Sequence, residues 1–344
     1  MAALRGIAFV CAYCMNRCLY LLNKQSKMTQ ANAKIAIVIP AFKVVQEIDQ
    51  VLKDIPSGID HVIVVDDKCP LGSGNIVESN SYPNIEDLVV IRHSKNKGVG
   101  GAVVSGYKKA IELKCDVVIK IDGDGQMDVD RIPDLIRPIL MNKADYTKGN
   151  RFVDFKSLRS MPAIRLVGNS ILSFVLKVVS GNWNNMDPTN GYTAINALAL
   201  KRLNLDKLAK RYFFESDMLI NLNIHNCVVK DVPMPAIYGN EQSSLSVRKI
   251  LFQFPFYLVK GFFRRLLLKY FVYDFNMASV YMLIGIPMVL WGIVFGAVEW
   301  WKHAQLDEVT PTGTVMLSVL PLILGTQLLL QAITIDINSV PKKD

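Results

Sequence analysis

The sequence predicts an α/β domain on a doubly wound, mainly parallel sheet, followed by a basic amphipathic stretch and two membrane-spanning helices. Three observations carry this. Short apolar runs alternate with helix-like patterns from Lys34 to Asp122, the sign of a parallel sheet covered on both faces. The strand-like runs end in acidic or polar residues, and such sheets bind ligands beyond the carboxyl ends of their strands. Two uncharged stretches follow, Met277 to Val298 and Gly313 to Ile335, each long enough to cross a bilayer.

Composition agrees. Of 344 residues, 51% are hydrophobic and the formal net charge is +9; mean hydropathy is +0.26, high for a soluble enzyme. Basic excess suits nucleic acid or an anionic membrane. The apolar excess favours membrane, and there is no zinc-finger spacing or nucleic-acid motif. The six Cys are Cys11, Cys14 and Cys18 near the start, then Cys69, Cys115 and Cys227 scattered. They form no disulfide framework and fit free thiols in a reducing compartment.

Taken in order, residues 1–33 read as an extension outside the fold. Ile7 to Ala12 is apolar after Arg5, but Cys14, Asn16 and Arg17 soon interrupt it, too early for a signal peptide. Met28, just ahead of the first strand, would serve as a start. IAIVIP (35–40) is a buried-strand run closed by Pro40. Val44 to Ile55 has helical spacing. HVIVVDD (61–67) and LVVIRH (88–93) are strands, Gly98 to Lys114 is a helix, and VVIKID (117–122) is a fourth strand. Pro40-Ala41-Phe42, Asp66-Asp67, Asn96 and Asp122-Gly123-Asp124 thereby converge on one sheet edge.

The last of these, in VVIKIDGDGQMDVD (117–130), carries the most chemistry. Two carboxylates one residue apart at a strand end suit Mg²⁺ or Mn²⁺, which take one or two carboxylates and fill the rest with water and phosphate. Gly123 and Gly125 would keep side chains clear of a diphosphate. An acidic surface turn is the bland alternative. A calcium loop fails on spacing, because its sixth and twelfth positions would be Met127 and Pro133 rather than Gly and Glu. Asn96-Lys97-Gly98-Val99-Gly100-Gly101 opens a helix as phosphate loops do. It lacks the GxGxxG spacing and the Lys-Ser/Thr of a P-loop, so its glycines serve either close packing or ligand contact.

PAF, VVDD, NKGVGGAVVSGYKKA, DGDGQ, GNR (149–151) and DPTNGY (187–192) follow in one order. That order resembles family 2 glycosyltransferases, most closely the dolichyl-phosphate mannose synthase and bacterial polyprenyl-phosphate glycosyltransferase branch. The resemblance covers about residues 35–240. It implies a GT-A, Rossmann-like fold, a nucleotide-diphosphate-sugar donor and inversion at the anomeric carbon. It implies that Pro40, Phe42 and Asp67 hold base and ribose, with Asp66, Asn96, Gly98 and Gly123 beside them. Asp122, Asp124 and Gln126 would hold metal and diphosphate, and Arg151 and Arg165 an acceptor phosphate. Two departures are visible: PAFKVVQE places Glu47 away from the family's usual acid, and Lys68-Cys69-Pro70 replaces the usual Gly-Ser after VVDD.

Guanidinium forks suit a phosphate. Arg165 lies on Ala163 to Ser180, an apolar helix with one polar stripe, Arg165, Asn169, Ser173 and Lys177. Its wide apolar surface belongs in a core, at a subunit interface, or at a membrane with the stripe turned to the active site; a homo-oligomer stays open. Val247 to Tyr273 carries Arg248, Lys249, Lys260, Arg264, Arg265 and Lys269, with Phe252, Phe254, Phe256, Phe262 and Phe263 between them and no acid, and reads as interfacial. The linker between the apolar runs holds Trp300 and Trp301, with Glu299, Asp307 and Glu308. Basic residues flank the outer ends, which puts both ends and the catalytic domain in the cytoplasm.

The expected layout is an extension to residue 33, a glycosyltransferase domain over 34–245, a basic juxtamembrane segment over 246–275, two spans over 276–337 and a tail over 338–344. The expected reaction moves a hexose-type sugar from a nucleotide sugar to a polyprenyl phosphate, undecaprenyl or dolichyl. A sugar-hydroxyl acceptor is the alternative. It would need a base, and Asp217 of FFESD (213–217) is the candidate; Glu215 and Asp217 serve equally well as structural acids. A membrane scaffold without chemistry is a further class, disfavoured by the intact acidic turn and arginines.

Overall fold

The computed structural model describes residues 33–153, 163–235 and 247–343, with the backbone alone at 153, 163–167, 169 and 247–253. The expected N-terminal extension lies, but for Ala33, outside the described residues.

Seven strands form one sheet. They are β1 (Ile35–Ala41), β2 (His61–Asp66), β3 (Leu88–Arg92), β4 (Val117–Lys120), β5 (Tyr146–Asn150), β6 (Thr193–Asn196) and β7 (Val229–Pro233). Their order is β3-β2-β1-β4-β6-β5-β7. The first four pair in parallel, as does β5 with β7. β6 runs antiparallel to both β4 and β5. The sheet is therefore mixed but mainly parallel, and its first four strands are the part the apolar runs announce.

The described helices before the membrane segment are α1 (Ile48–Asp54), α2 (Ser73–Ser79), α3 (Val99–Glu112), α4 (Ile132–Leu140), α5 (Ala163–Ser180), α6 (Ala197–Arg202) and α7 (Phe214–Ile224). α1 begins later than its apolar spacing predicts. Lys43 takes a left-handed φ of 61°, and residues 45–47 form a turn before the helix settles.

Alternation along β1 explains the two cores. Ile37 and Ile39 pack with Val62, Val64 and Ile119 against α1 and α4, while Ala36 and Val38 pack with Ile63 and Val65 against α3 and α7. Burial on both faces is why these strands read as unbroken apolar runs. Cys69, Cys115 and Cys227 are free thiols.

A third cluster joins Leu176 and Val179 of α5 to Phe213, Ile220 and Ile224, and to Leu258 of α8 (Val247–Leu267). α8 runs on as a π-helical turn over Leu268–Tyr273. Its outward face carries Phe256, Val259, Phe263 and Leu267 at helical spacing, all exposed. Not all its basic residues face outward, as an interfacial helix would have them: Arg265 and Lys269 are buried.

α9 (Met277–Leu306) and α10 (Thr312–Asn338) are long and apolar enough to span a membrane. A capping box at Asn276 and Ser279 starts α9. The two helices approach closely where glycines leave room. A Cβ on Gly292 would stand 2.7 Å from the Ser318 carbonyl oxygen, the close small-residue packing of helices in lipid.

Candidate active site

The strand ends open into a cleft of about 390 Å³. Pro40, Phe42, Asp67, Asn96, Gly98 and Asp122 to Asp124 line it, with Arg211 and Tyr212 opposite. Most expected donor-side residues thus share one cavity. Asp66 and Gln126 stand outside its lining.

Asp66 turns away from the cleft. Its carboxylate accepts from the backbone N–H of Cys69 (2.7 Å) and of Gly74 (3.1 Å), which fixes the turn after β2. Asp67 lines the cleft but is buried and committed. One oxygen accepts from Lys97 N–H at 2.8 Å and the other from Gly98 N–H at 2.7 Å, and His93 Nδ1 lies 2.7 Å away. It therefore ties β2 to the entry of α3, and Asn96 donates to its carbonyl at 3.2 Å. The glycines of that entry serve packing: Gly98 has φ +83°, and a Cβ on it would meet the Lys210 carbonyl oxygen at 2.6 Å.

Lys120 organises the acidic turn. Its ammonium is fully buried, 2.8 Å from Asp122 Oδ1 and 3.3 Å from Glu215 Oε1. An ion so buried needs such partners, and they hold the lysine well above its usual range despite burial. Asp124 accepts from Gln126 N–H at 3.0 Å, and burial raises its carboxyl. A Cβ on Gly191 would fall 2.4 Å from Lys120 Nζ and 2.7 Å from Asp122 Oδ2, so only glycine leaves this spot clear. A Cβ on Gly123 would instead meet Ile48, Val44 and Ile39, so its smallness seats the turn on the core rather than clearing a diphosphate.

Lys120 escaped the sequence reading, though a lysine inside an apolar strand is a signal in itself. So did Lys148 of β5, fully buried, which donates to the Asn190 carbonyl; burial pushes its ammonium down to about 8.

Arg151 follows β5. Nε donates to Asp187 Oδ2 at 2.8 Å and Nη2 to Asp187 Oδ1 at 3.1 Å, a two-bond fork on a buried carboxylate. Asp187 orients Arg151. The Arg165 side chain lies outside the described residues. Further along its helix, Ser173 donates to the Met186 carbonyl at 2.8 Å and Lys177 reaches Met186 Sδ at 3.2 Å, so these two side chains meet the residue before Asp187.

Asp217, the candidate base, is placed elsewhere. Its carboxylate accepts from Arg264 of α8, from Ala209 N–H at 2.8 Å and from Asn221 at 3.1 Å. Buried and so occupied, it joins α7 to α8 and does not line the cleft. Glu215, two residues back, is the acid beside Lys120.

Next to the cleft lies a largely apolar groove of about 640 Å³. Ile171, Leu172 and Val175 of α5 form one wall, and Phe254, Pro255 and Leu258 of α8 the other. Tyr212 lines both groove and cleft.

Comparison with known proteins agrees with this layout. The profile described as glycosyl transferase family 2 matches residues 36–203. A UDP-N-acetylglucosamine–dolichyl-phosphate N-acetylglucosaminyltransferase of Methanococcus voltae is 32% identical over 70% of this chain and 97% of its own. An undecaprenyl-phosphate mannosyltransferase of Micrococcus luteus is 27% identical over 54% of this chain and 76% of its own. Among solved structures, glucosyl-3-phosphoglycerate synthase of Mycobacterium tuberculosis, crystallised with Mg²⁺ and UDP, superposes with a TM-score of 0.52 at 17% identity, covering 70% of this chain and 82% of that one. That likeness is one of fold.

Proposed function

The chain belongs to glycosyl transferase family 2, and from that footing we propose that it moves a hexose-type sugar from a nucleoside-diphosphate sugar to the phosphate of a polyprenyl lipid at a membrane surface. One observation carries the reading: a carboxylate-bearing cleft at the strand ends and an apolar groove between α5 and α8 share a wall at Tyr212. A water-soluble donor and a lipid acceptor need such adjoining compartments. Both named relatives act on a polyprenyl-type phosphate, which supports the acceptor class.

Asp122 and Asp124, with Gln126 close by, are the residues for a divalent cation. The fit is chemical: two carboxylates one residue apart at the cleft supply hard oxygen donors, and Asp124 is half-buried, its carboxyl raised by desolvation in a way a bound cation would offset. When bound, Mg²⁺ or Mn²⁺ supplies Lewis-acid neutralisation of the nucleotide diphosphate. Lys120 keeps Asp122 and Glu215 apart from one another and aimed. Pro40 and Phe42 offer apolar surface to the base.

Arg151, held by Asp187, presents its guanidinium to the acceptor phosphate, with Arg165 as its expected partner. A phosphate oxygen forms the new bond to the anomeric carbon. The bond from that carbon to the diphosphate breaks, and its electron pair leaves with the nucleotide. Attack from the opposite face inverts the centre. A phosphate monoester, with a second pKa of about 6, is largely ionised near neutrality, so no strong base is required. A hydroxyl acceptor would require one, and Asp217 is engaged by Arg264.

The test is direct. Purified protein is incubated with polyprenyl phosphate and a panel of nucleotide sugars that includes UDP-N-acetylglucosamine and GDP-mannose, and the lipid is read by mass spectrometry. A single hexose or N-acetylhexosamine added to the lipid phosphate is expected, and EDTA should abolish it. Transfer to a sugar hydroxyl alone would overturn the reading.

A further inference from the structure

Arg265 is the largest fully buried side chain among the described residues, 1% exposed. Its guanidinium donates in two directions. Nε and Nη2 reach the carbonyls of Val179 (2.9 Å) and Val178 (3.0 Å), in the last turn of α5. Terminal carbonyls of a helix have no partner within it, so Arg265 caps α5. Nη1 and Nη2 reach the two oxygens of Asp336, at 2.7 and 3.1 Å.

Three further observations make this a built junction. Gly181, just past α5, has φ +70°, and a Cβ there would stand 2.3 Å from Arg265 Nη1; the helix end is shaped to admit the guanidinium. Asp336, in the last turn of the second apolar helix, also accepts from Tyr270 OH (2.5 Å) and from Trp183 Nε1 (3.1 Å). Lys269 bonds Asn223 of α7 at 3.2 Å and Ser339 at 3.1 Å beside the same cluster. An acid at the end of a membrane span, so fully partnered, marks function more than anchorage.

The two elements that Arg265 joins are the walls of the apolar groove. α5 supplies Ile171, Leu172 and Val175, and α8 supplies Phe254, Pro255 and Leu258; Arg265 lies further along α8, outside the groove lining. We infer that Asp336 is a positioning residue for the acceptor: by holding Arg265 it fixes α5 against α8, so the membrane hairpin is part of the lipid site and not its tether alone. This rests on the groove being the acceptor's, as proposed above.

A merely structural ion pair would, when broken, weaken everything together. A positioning pair separates the two substrates. Asp336→Asn in the full chain, reconstituted in liposomes, should raise the KM for polyprenyl phosphate at least tenfold, while nucleotide affinity by calorimetry stays within twofold and kcat at saturating lipid within threefold. Arg265→Lys, which cannot bridge two carbonyls and a carboxylate, should do the same. Losing the carboxylate strands a buried cation; if Asp336→Asn does not fold, the pair Asp336→Asn with Arg265→Gln removes both charges. If that too fails, Trp183→Phe keeps the ion pair and decides: a threefold or larger rise in acceptor KM at unchanged nucleotide affinity supports the inference. An unchanged acceptor KM in the folded variant, or equal loss of both substrates, overturns it. A wild-type protein that glycosylates no polyprenyl phosphate sinks the functional reading itself, and the inference with it.

Discussion

Arg151 and Asp187 meet as a two-bond fork whose geometry, not charge alone, presents the arginine. Arg151→Ala should lose charge-assisted hydrogen bonds of about 1.5–3 kcal/mol, roughly ten- to a hundredfold in use of the lipid phosphate, with donor affinity unchanged by calorimetry. Asp187→Asn should act in the same direction, because an amide cannot accept both bonds as a carboxylate does. Lys148 gives a pH signature. Its folded pKa of about 8 lies below the ordinary 10.5, so across that window the unfolded chain binds more protons, and stability rises as pH climbs from about 8 to about 10.5. Lys269, also lowered to about 8 by burial, adds to the same slope. Lys148→Met should flatten the slope of unfolding stability over this range, measured by denaturant titration at stepped pH. At this scale the sequence was partly legible. Acids at strand ends declare themselves, but whether Asp66 faces the cleft or Asp67 spends its oxygens on backbone depends on turns that one sequence does not display.

Elements were legible in proportion to their burial by apolar residues. β1 to β4 are apolar runs because both faces are covered. β5 (YTKGN), β6 (TAIN) and β7 (VKDVP) show no such run and are not among the strands the sequence predicts, yet every residue of β5 is buried. Their polar side chains are spent on the site: Lys148 on Asn190, Asn150 on Asp231 at 3.0 Å. Strands that furnish an active site thereby lose the pattern that would reveal them. The same holds for α7 and α8, joined through Asp217 and Arg264. Asp217→Asn should therefore act on stability, lowering it by about 2 kcal/mol through a lost charged hydrogen bond, while transfer by the folded fraction persists. Loss of transfer at unchanged stability would return Asp217 to the role of base.

The whole molecule couples a water-facing cleft to a membrane hairpin. We propose a topology with the catalytic domain and the segment after α10 on the cytoplasmic side, since Lys342 and Lys343 follow α10, while Glu299, Asp307 and Glu308 lie at the turn between the apolar helices. A reporter fused after Asp344 should be cytoplasmic and one inserted near Gln305 should face the opposite side; a shared side would refute the hairpin. The apolar runs made the spans legible. Their attachment was not, because Asp336 and Arg265 stand 71 residues apart and meet only in the folded chain.

The wall at Tyr212 has a kinetic consequence. One compartment fills from a three-dimensional solution and the other from a two-dimensional sheet of lipid. Donor saturation should then follow molar concentration, whereas acceptor saturation should follow the mole fraction of lipid phosphate within the bilayer. Adding inert phospholipid at constant total acceptor would slow the reaction without touching a single bond in the site, and diluting the vesicles with buffer at constant donor concentration would not.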